Sequence, residues 1–251
     1  MISFVTPHLS GAKWLELHLS AIRKFHPNDE IIISATNNDD RKIVEKYGGR
    51  YFDNNTDYYQ AVEFLFGEAS NDIIVLSDCD TVLFSNVGYL AQKLDKFDFI
   101  GIEELIRHPI RDRWERYAPS YVDFTFFMFS REKFKSKIAN WPKIPRFGFN
   151  NPNIVNTEGH YRLCEIFPKH YYLRPYNTKK YGLGNLIKDG EKQILYHQWY
   201  GSWEKRGAFM SETNIEENPY QSWAELKAAE EKFFNDYPNL DFSGVWPAFK
   251  I

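Results

Sequence analysis

The chain has 251 residues, 26% of them charged and 43% apolar, with a formal net charge of −3. That length and balance suit a water-soluble α/β or mixed domain, with room for a sizeable core. The charge leaves no basic footprint for nucleic acid, and no apolar run is long enough to form a membrane-spanning helix. Ile2 to Thr6 is a short apolar run stopped by Pro7. "GAKWLELHLSAIRKF" then places Leu15, Leu19 and Ile22 at helical spacing, with Phe25 close to the same face. "EIIISAT" reads as a buried strand and "NNDD", residues 37–40, as a polar turn. "DRKIVEKYGG" predicts a short helix ended by Gly48 and Gly49, and "RYFD" a third short strand. "DYYQAVEFLFGEA" sets Tyr58, Val62, Leu65, Phe66 and Ala69 on one helical face, and "DIIVLS" is the strongest strand signal of all.

Strand and helix thus alternate up to Ser77, which predicts a mostly parallel sheet flanked by helices. Open sheets of this kind bind ligands beyond the C-terminal ends of their strands. Thr6, the "NNDD" turn, Asp78 and Asp80 all stand at such ends.

Beyond Phe84 the pattern loosens. "VGYLAQKL" predicts a helix and "DFIGI" a short strand. Residues 103–119 are polar and basic, with Arg107, Arg111, Arg113 and Arg116; the default reading is a solvated segment, the alternative a contact to diphosphate. "YVDFTFFMFSREKF" predicts a strand running into a helix, and residues 141–156 a long loop rich in Pro, Asn and Gly. "TEGHYRLCEIF" predicts a helix with Thr157 as N-cap. "KQILYHQWYGSW" reads as a strand ending in an aromatic and polar cluster, with Trp199, Tyr200 and Trp203 able to shape a pocket. "YQSWAELKAAEEKFFNDYP" predicts a final helix. No linker divides the chain, so residues 206–251 are expected as a C-terminal helical extension packed on the same domain. Cys79 and Cys164 are too few for a disulfide framework, and "MISFVTP" reads as a strand rather than a signal peptide, so a cytoplasmic location is expected. Peripheral contact with a membrane would leave no mark in such a composition.

The chemistry-bearing stretch is "DIIVLSDCDTVLF", an apolar strand that delivers Asp78 and Asp80 to its tip. Two carboxylates so close repel unless a cation or a proton intervenes. Hard divalent cations take oxygen ligands and bridge carboxylates to phosphates, which favours a Mg²⁺ or Mn²⁺ site. The same letters match the Asp-x-Asp-x-Thr/Val signature of haloacid-dehalogenase-like phosphatases, with Asp78 as nucleophile and Asp80 as acid/base. That family, however, carries the motif on its first strand and adds a later acidic pair, which this sequence does not offer.

The order of elements, with an Asp-x-Asp at the end of a central strand, resembles glycosyltransferases of the GT-A fold, over roughly residues 1–205. The resemblance implies a Rossmann-like α/β domain, with a nucleotide-binding half over residues 1–100 and an acceptor half over 101–205. It implies a nucleotide-sugar donor, a UDP-sugar by preference, and a glycan or other hydroxyl acceptor. It also implies that Asp80 ligates Mn²⁺ or Mg²⁺, that Asp78 touches the metal or the donor ribose, and that Thr6, Asn38 and Asp39 lie near the base and ribose. His197, late in the fold and at a strand end, is either the metal's third ligand or an ordinary hydrogen-bonded histidine. Glu158, at the start of its helix, is the candidate general base, with Gly159 where the family usually has Asp. Asp123 is a second candidate for that role or a contact to the donor sugar. Cys79 is expected to pack inward, since side chains alternate along a strand. "TPHLSGAKW" has one glycine and no arginine, which counts against the nucleotidyltransferases that make sugar nucleotides.

Overall fold

The alternation up to Ser77 folds as it reads. In this computed structural model residues 1–8, 11–35, 38–53, 58–104, 106–108, 113–115, 121–137, 167–178, 180–181, 184–198 and 223–247 are described. Strands β1 (Ile2–His8), β2 (Glu30–Ala35), β3 (Arg50–Asp53) and β4 (Ile73–Ser77) lie in the order β3-β2-β1-β4, all parallel. Helices α1 (Ala12–Phe25), α2 (Asn38–Lys46) and α3 (Tyr58–Glu68) make the crossovers that parallel pairing requires. Both faces of this part of the sheet are covered. Phe4 and Val75 meet Leu15, Leu19 and Ile22 of α1 on one side, while Val5, Ile74 and Leu76 meet Leu65 of α3 and Ala69 just beyond it on the other. A strand buried on both faces has no polar side to show, so "III" in β2 and "IIVL" in β4 are unbroken apolar runs.

α2 starts at Asn38, so the segment read as a polar turn is the helix's first turn. Asp39 and Asp40 sit there at the positive end of the helix dipole, a favourable place for carboxylates. The predicted helix "VGYLAQKL" is a 3₁₀ helix over Gly88–Asp95 that buries Leu90 and Leu94.

Past Ser77 the sheet becomes mixed. β5 (Thr81–Leu83), β6 (Phe99–Glu104), β7 (Ile106–His108), β8 (Arg113–Glu115), β9 (Tyr121–Ser130), β10 (His170–Thr178), β11 (Gly184–Asp189), β12 (Lys192–Gln198) and β13 (Trp246–Pro247) follow, with α4 (Arg131–Lys137) after β9. β9 inserts antiparallel between β4 and β6, and β6 pairs in parallel with β10. β10, β11, β12 and β5 are antiparallel throughout. The expected parallel arrangement therefore describes β3-β2-β1-β4, and beyond it antiparallel pairs predominate, with β6 and β10 the parallel exception. Gly190, at φ 59°, supplies the left-handed backbone of the tight β11–β12 turn. β7 and β8 form a separate two-stranded ladder within the basic segment.

One connection shapes the whole sheet. Only Asp78, Cys79 and Asp80 separate β4 from β5, a reach of at most about 14 Å from Ser77 to Thr81. Yet five strands (β9, β6, β10, β11 and β12) stand between β4 and β5 in the sheet order. The sheet must curl back on itself, and β10 is where it does so. Its residues 170–173 pair with β6, and its residues 174–178 pair with β11.

The final helix α5 (Trp223–Asp236) closes the curled side. Phe233 is fully buried and stacks on Tyr196 of β12 with ring centroids 4.5 Å apart. Phe234 lies 4.6 Å from Trp14 of α1, whose indole N–H donates to Glu230. No helix among the described residues is long and apolar enough to cross a membrane. Because Phe233 joins α5 to β12 and α1 in one core, Phe233→Ala is expected to cost about 3–5 kcal/mol of stability in urea unfolding. A loss below about 1 kcal/mol would show that α5 docks without this contact.

Candidate functional site

The chain turns as soon as β4 ends. Thr81 donates twice to the Asp78 carbonyl, from its backbone N–H at 3.2 Å and from its hydroxyl at 2.7 Å. The Asp78 N–H donates to the Thr125 carbonyl of β9 at 3.1 Å, and the Gln198 N–H of β12 donates to the Asp80 carbonyl at 3.0 Å. The turn is thus gripped by β9 on one side and β12 on the other. Asp80 and Cys79 are buried and Asp78 is half-buried. Cys79 packs into the core beside Val75 and Val82, as the strand's alternation predicts.

The β12–β5 pairing sets His197 opposite Thr81, one residue past Asp80. His197 Nε2 consequently stands 3.6 Å from Asp80 Oδ1. One ligand atom each from Asp78, Asp80 and His197 all lie within 4.8 Å of one another. Two carboxylates and one imidazole, largely withdrawn from water, make a donor set that a divalent cation suits: the charge resolves the repulsion between the acids. The oxygens suit a hard cation, and the nitrogen is more readily accepted by Mn²⁺ than by Mg²⁺. It is the one group of three or more such side chains among the described residues. The later acidic pair that a phosphatase reading needs is therefore not beside Asp78 there.

Behind the turn runs a row of buried polar side chains. His18 of α1 places Nδ1 2.8 Å from the Thr81 carbonyl and 3.2 Å from the Thr81 hydroxyl. Its Nε2 lies 3.0 Å from Thr6 Oγ1. A carbonyl only accepts, so Nδ1 carries the hydrogen and Nε2 accepts from Thr6. Ser77 Oγ stands 3.5 Å from both Thr6 Oγ1 and the ring's Nε2. Complete burial pulls the His18 pKa down from 6.5 to about 4; the bond to Thr81 opposes that shift, and His8 nearby adds to it. The ring is neutral at pH 7. His8, at the tip of β1, sits with Nε2 3.1 Å from Asp40 Oδ2 of α2, both side chains buried.

The site residues expected from sequence fall in different places. Asp78, Asp80 and His197 come together. Thr6 is buried behind the turn, with its hydroxyl engaged by His18. Asn38 and Asp39 open α2 just beyond β2, and Asp39 is exposed; the buried acid of that turn is Asp40. Asp123 lies where β9 runs past the end of β4, since Ser77 pairs with Phe126 and Asp123 pairs with Ile102. Glu158 with the helix predicted around it, the loop predicted over 141–156, Arg111, Arg116, Cys164, Trp199, Tyr200 and Trp203 lie outside the described residues. The sequence reading missed His18, Ser77, His8 and Asp40. A signal for His18 exists: it stands with Leu15, Leu19 and Ile22 on the apolar stripe of α1, an unusual place for an imidazole.

No protein-family model and no curated protein matches the chain. Among solved structures, TarS 1–349 from S. aureus is similar at a TM-score of 0.51, covering 93% of this chain and 70% of that one at 11% identity. The galactosyltransferase LgtC, in complex with donor and acceptor sugar analogues, gives 0.49 over 68% of this chain and 73% of its own at 13% identity. The mannosyltransferase PcManGT from Pyrobaculum calidifontis, in complex with GDP-Man and Mn²⁺, gives 0.47 at 12% identity. That match takes 68% of this chain and 54% of the mannosyltransferase, so the chain spans about half of its length. At such identities the likeness is one of fold: the chain has the Rossmann-like α/β GT-A fold.

The buried His18 has a consequence for stability. Its folded pKa lies below its unfolded value, so the unfolded chain binds more protons between about pH 4 and pH 6.5. The contribution is fully present above that window and is lost as pH falls through it, by about 3 kcal/mol in all. A His18→Asn variant, titrated by urea unfolding from about pH 7 to about pH 4, should lose stability less steeply than the parent. Parallel curves would show that the ring is not held neutral.

Proposed function

We propose that the protein is a metal-dependent glycosyltransferase that moves a sugar from a nucleoside-diphosphate donor to a hydroxyl of a glycan or other acceptor. The observation that carries this reading is the convergence of Asp78, Asp80 and His197 at the C-terminal edge of a GT-A sheet. Asp80 and His197 are assigned as ligands of Mn²⁺ or Mg²⁺, and Asp78 as a ligand or a contact to the donor ribose. Bound there, the cation supplies Lewis-acid charge against the leaving diphosphate. Thr6, Asn38 and Asp39 are assigned to the nucleoside side, a UDP-sugar being the donor that the family resemblance favours. In the transfer, the bond from the sugar's anomeric carbon to the diphosphate oxygen breaks and one to the acceptor oxygen forms. The acceptor's proton passes to a carboxylate, for which Glu158 and Asp123 are the candidates. We place the reaction in the cytoplasm, where peripheral contact with a membrane is compatible with the composition. The imidazole 3.6 Å from Asp80 supports a ligand set over a phosphatase, where Asp78 would have to attack phosphorus.

A thermal-shift screen of nucleoside diphosphates and sugar nucleotides, with and without Mn²⁺, tests the reading. Stabilisation by one nucleotide class that needs the metal is the expected result. Asp80→Asn should remain folded and lose that metal-linked stabilisation; a folded variant that keeps it overturns the assignment. His197→Ala should weaken Mn²⁺ binding by roughly tenfold or more, and an unchanged Mn²⁺ titration would return His197 to an ordinary hydrogen-bonded histidine. Trapping of Asp78 by beryllofluoride would instead mark a phosphoenzyme.

A further inference from the structure

The turn that carries the two aspartates is fixed on two sides by backbone bonds of the sheet, from Asp78 to Thr125 and from Gln198 to Asp80. On the α1 side His18 reaches it. His18 donates from Nδ1 to the Thr81 carbonyl, and Thr81 in turn closes the turn on the Asp78 carbonyl through both its N–H and its hydroxyl. The other ring nitrogen ties the same side chain to Thr6 of β1, with Ser77 at the end of β4 close by. One imidazole thus links α1, β1 and the first residue of β5, with the end of β4 beside it. A leucine at position 18 would fill a stripe already formed by Leu15, Leu19 and Ile22 without desolvating a polar ring. What only the imidazole provides is the pair of directed bonds.

We propose that His18 is a positioning residue for the Asp78–Asp80 pair: acting through Thr81, it sets the turn so that both carboxylates meet the His197 imidazole. This rests on the reading of those three side chains as a metal centre. Groups that orient ligands from behind commonly govern metal affinity by 10–100-fold, and His18 acts at that remove. The two ring nitrogens divide the work. Nδ1 serves the turn and Nε2 serves Thr6, so the two amide replacements are not equivalent. An asparagine amide takes the place of Nδ1, and a glutamine amide the place of Nε2.

The test is a Mn²⁺ titration of the whole protein, read as the loss of the free-ion electron paramagnetic resonance signal, beside thermal unfolding in metal-free buffer. His18→Asn should stay within about threefold of the parent's Mn²⁺ Kd, whereas His18→Gln and His18→Leu should weaken it by roughly 10–100-fold. A merely structural role would lower Tm in the variants and leave the Kd of every folded one unchanged. That result, or equal affinities for the Asn and Gln variants, overturns the proposal. Thr81→Val, which keeps the carbonyl and removes the hydroxyl that closes the turn, reads the same coupling if a His18 variant does not fold. It should also weaken Mn²⁺ binding, and an unchanged Kd counts against the proposal. If the parent binds no Mn²⁺, the metal centre itself fails before any variant is compared, and the role assigned to His18 falls with it.

Discussion

A three-residue tether governs this molecule. β4 is the last strand of the parallel half of the sheet and β5 stands at the far end of the mixed half, and Asp78–Cys79–Asp80 joins them directly. A link so short leaves the sheet one way to satisfy both pairings, which is to curl until β12 and β5 return to the end of β4. The antiparallel hairpins, the division of β10 between two partners and the seat of α5 against Tyr196 follow from that return. So does the chemistry. The tether is where the two halves meet, and its two acidic residues are pushed toward whatever β12 presents, which is His197.

Holding two carboxylates at such a joint costs free energy, because like charges in a partly buried place repel more strongly than in water. The surroundings are built to hold the backbone firm while that strain persists. Its backbone is bonded to β9 and β12, and behind it His18 is held between the Thr81 carbonyl and the Thr6 hydroxyl. His18 stays neutral there, so the row adds no charge to compete with the acids. The buried pairing of His8 with Asp40 lies further along the edge at the start of α2. The carboxylate pair is left as the dominant concentration of negative charge at the joint.

Much of this fold is written locally. α1, β2, α3 and β4 could be read because each carries a clear period or an unbroken apolar run, and these signals survive tertiary packing. Leu15, Leu19 and Ile22 are fully buried as their spacing requires. β10 and β11 escaped because their patterns are mixed. "HYYLRPYNT" alternates poorly and includes Pro175, and the ladder between β11 and β12 shifts register at Ile187 and Lys188. The site was legible as two aspartates at a strand end, whose letters serve two enzyme families equally. What separates the families is position in the sheet, which the upstream alternation supplied. His197 drew attention by its strand end, but its approach to Asp80 depends on the β12–β5 pairing, which no local pattern announces. His18 showed only as an imidazole on the apolar stripe of α1; its partner Thr81, 63 residues away, could not be read.

The strand pairing that closes the site also fixes when the site can exist. Asp80 leaves the ribosome with β4 and the parallel unit behind it, whereas the strand carrying His197 is synthesised about 120 residues later. Until then β5 has no strand beside it, and the carboxylates stand at the open end of an unfinished sheet. A stalled or clipped chain can therefore fold its N-terminal half and still hold no finished donor set. Asp78, Asp80 and His197 can come together only once β12 has been made and has paired with β5.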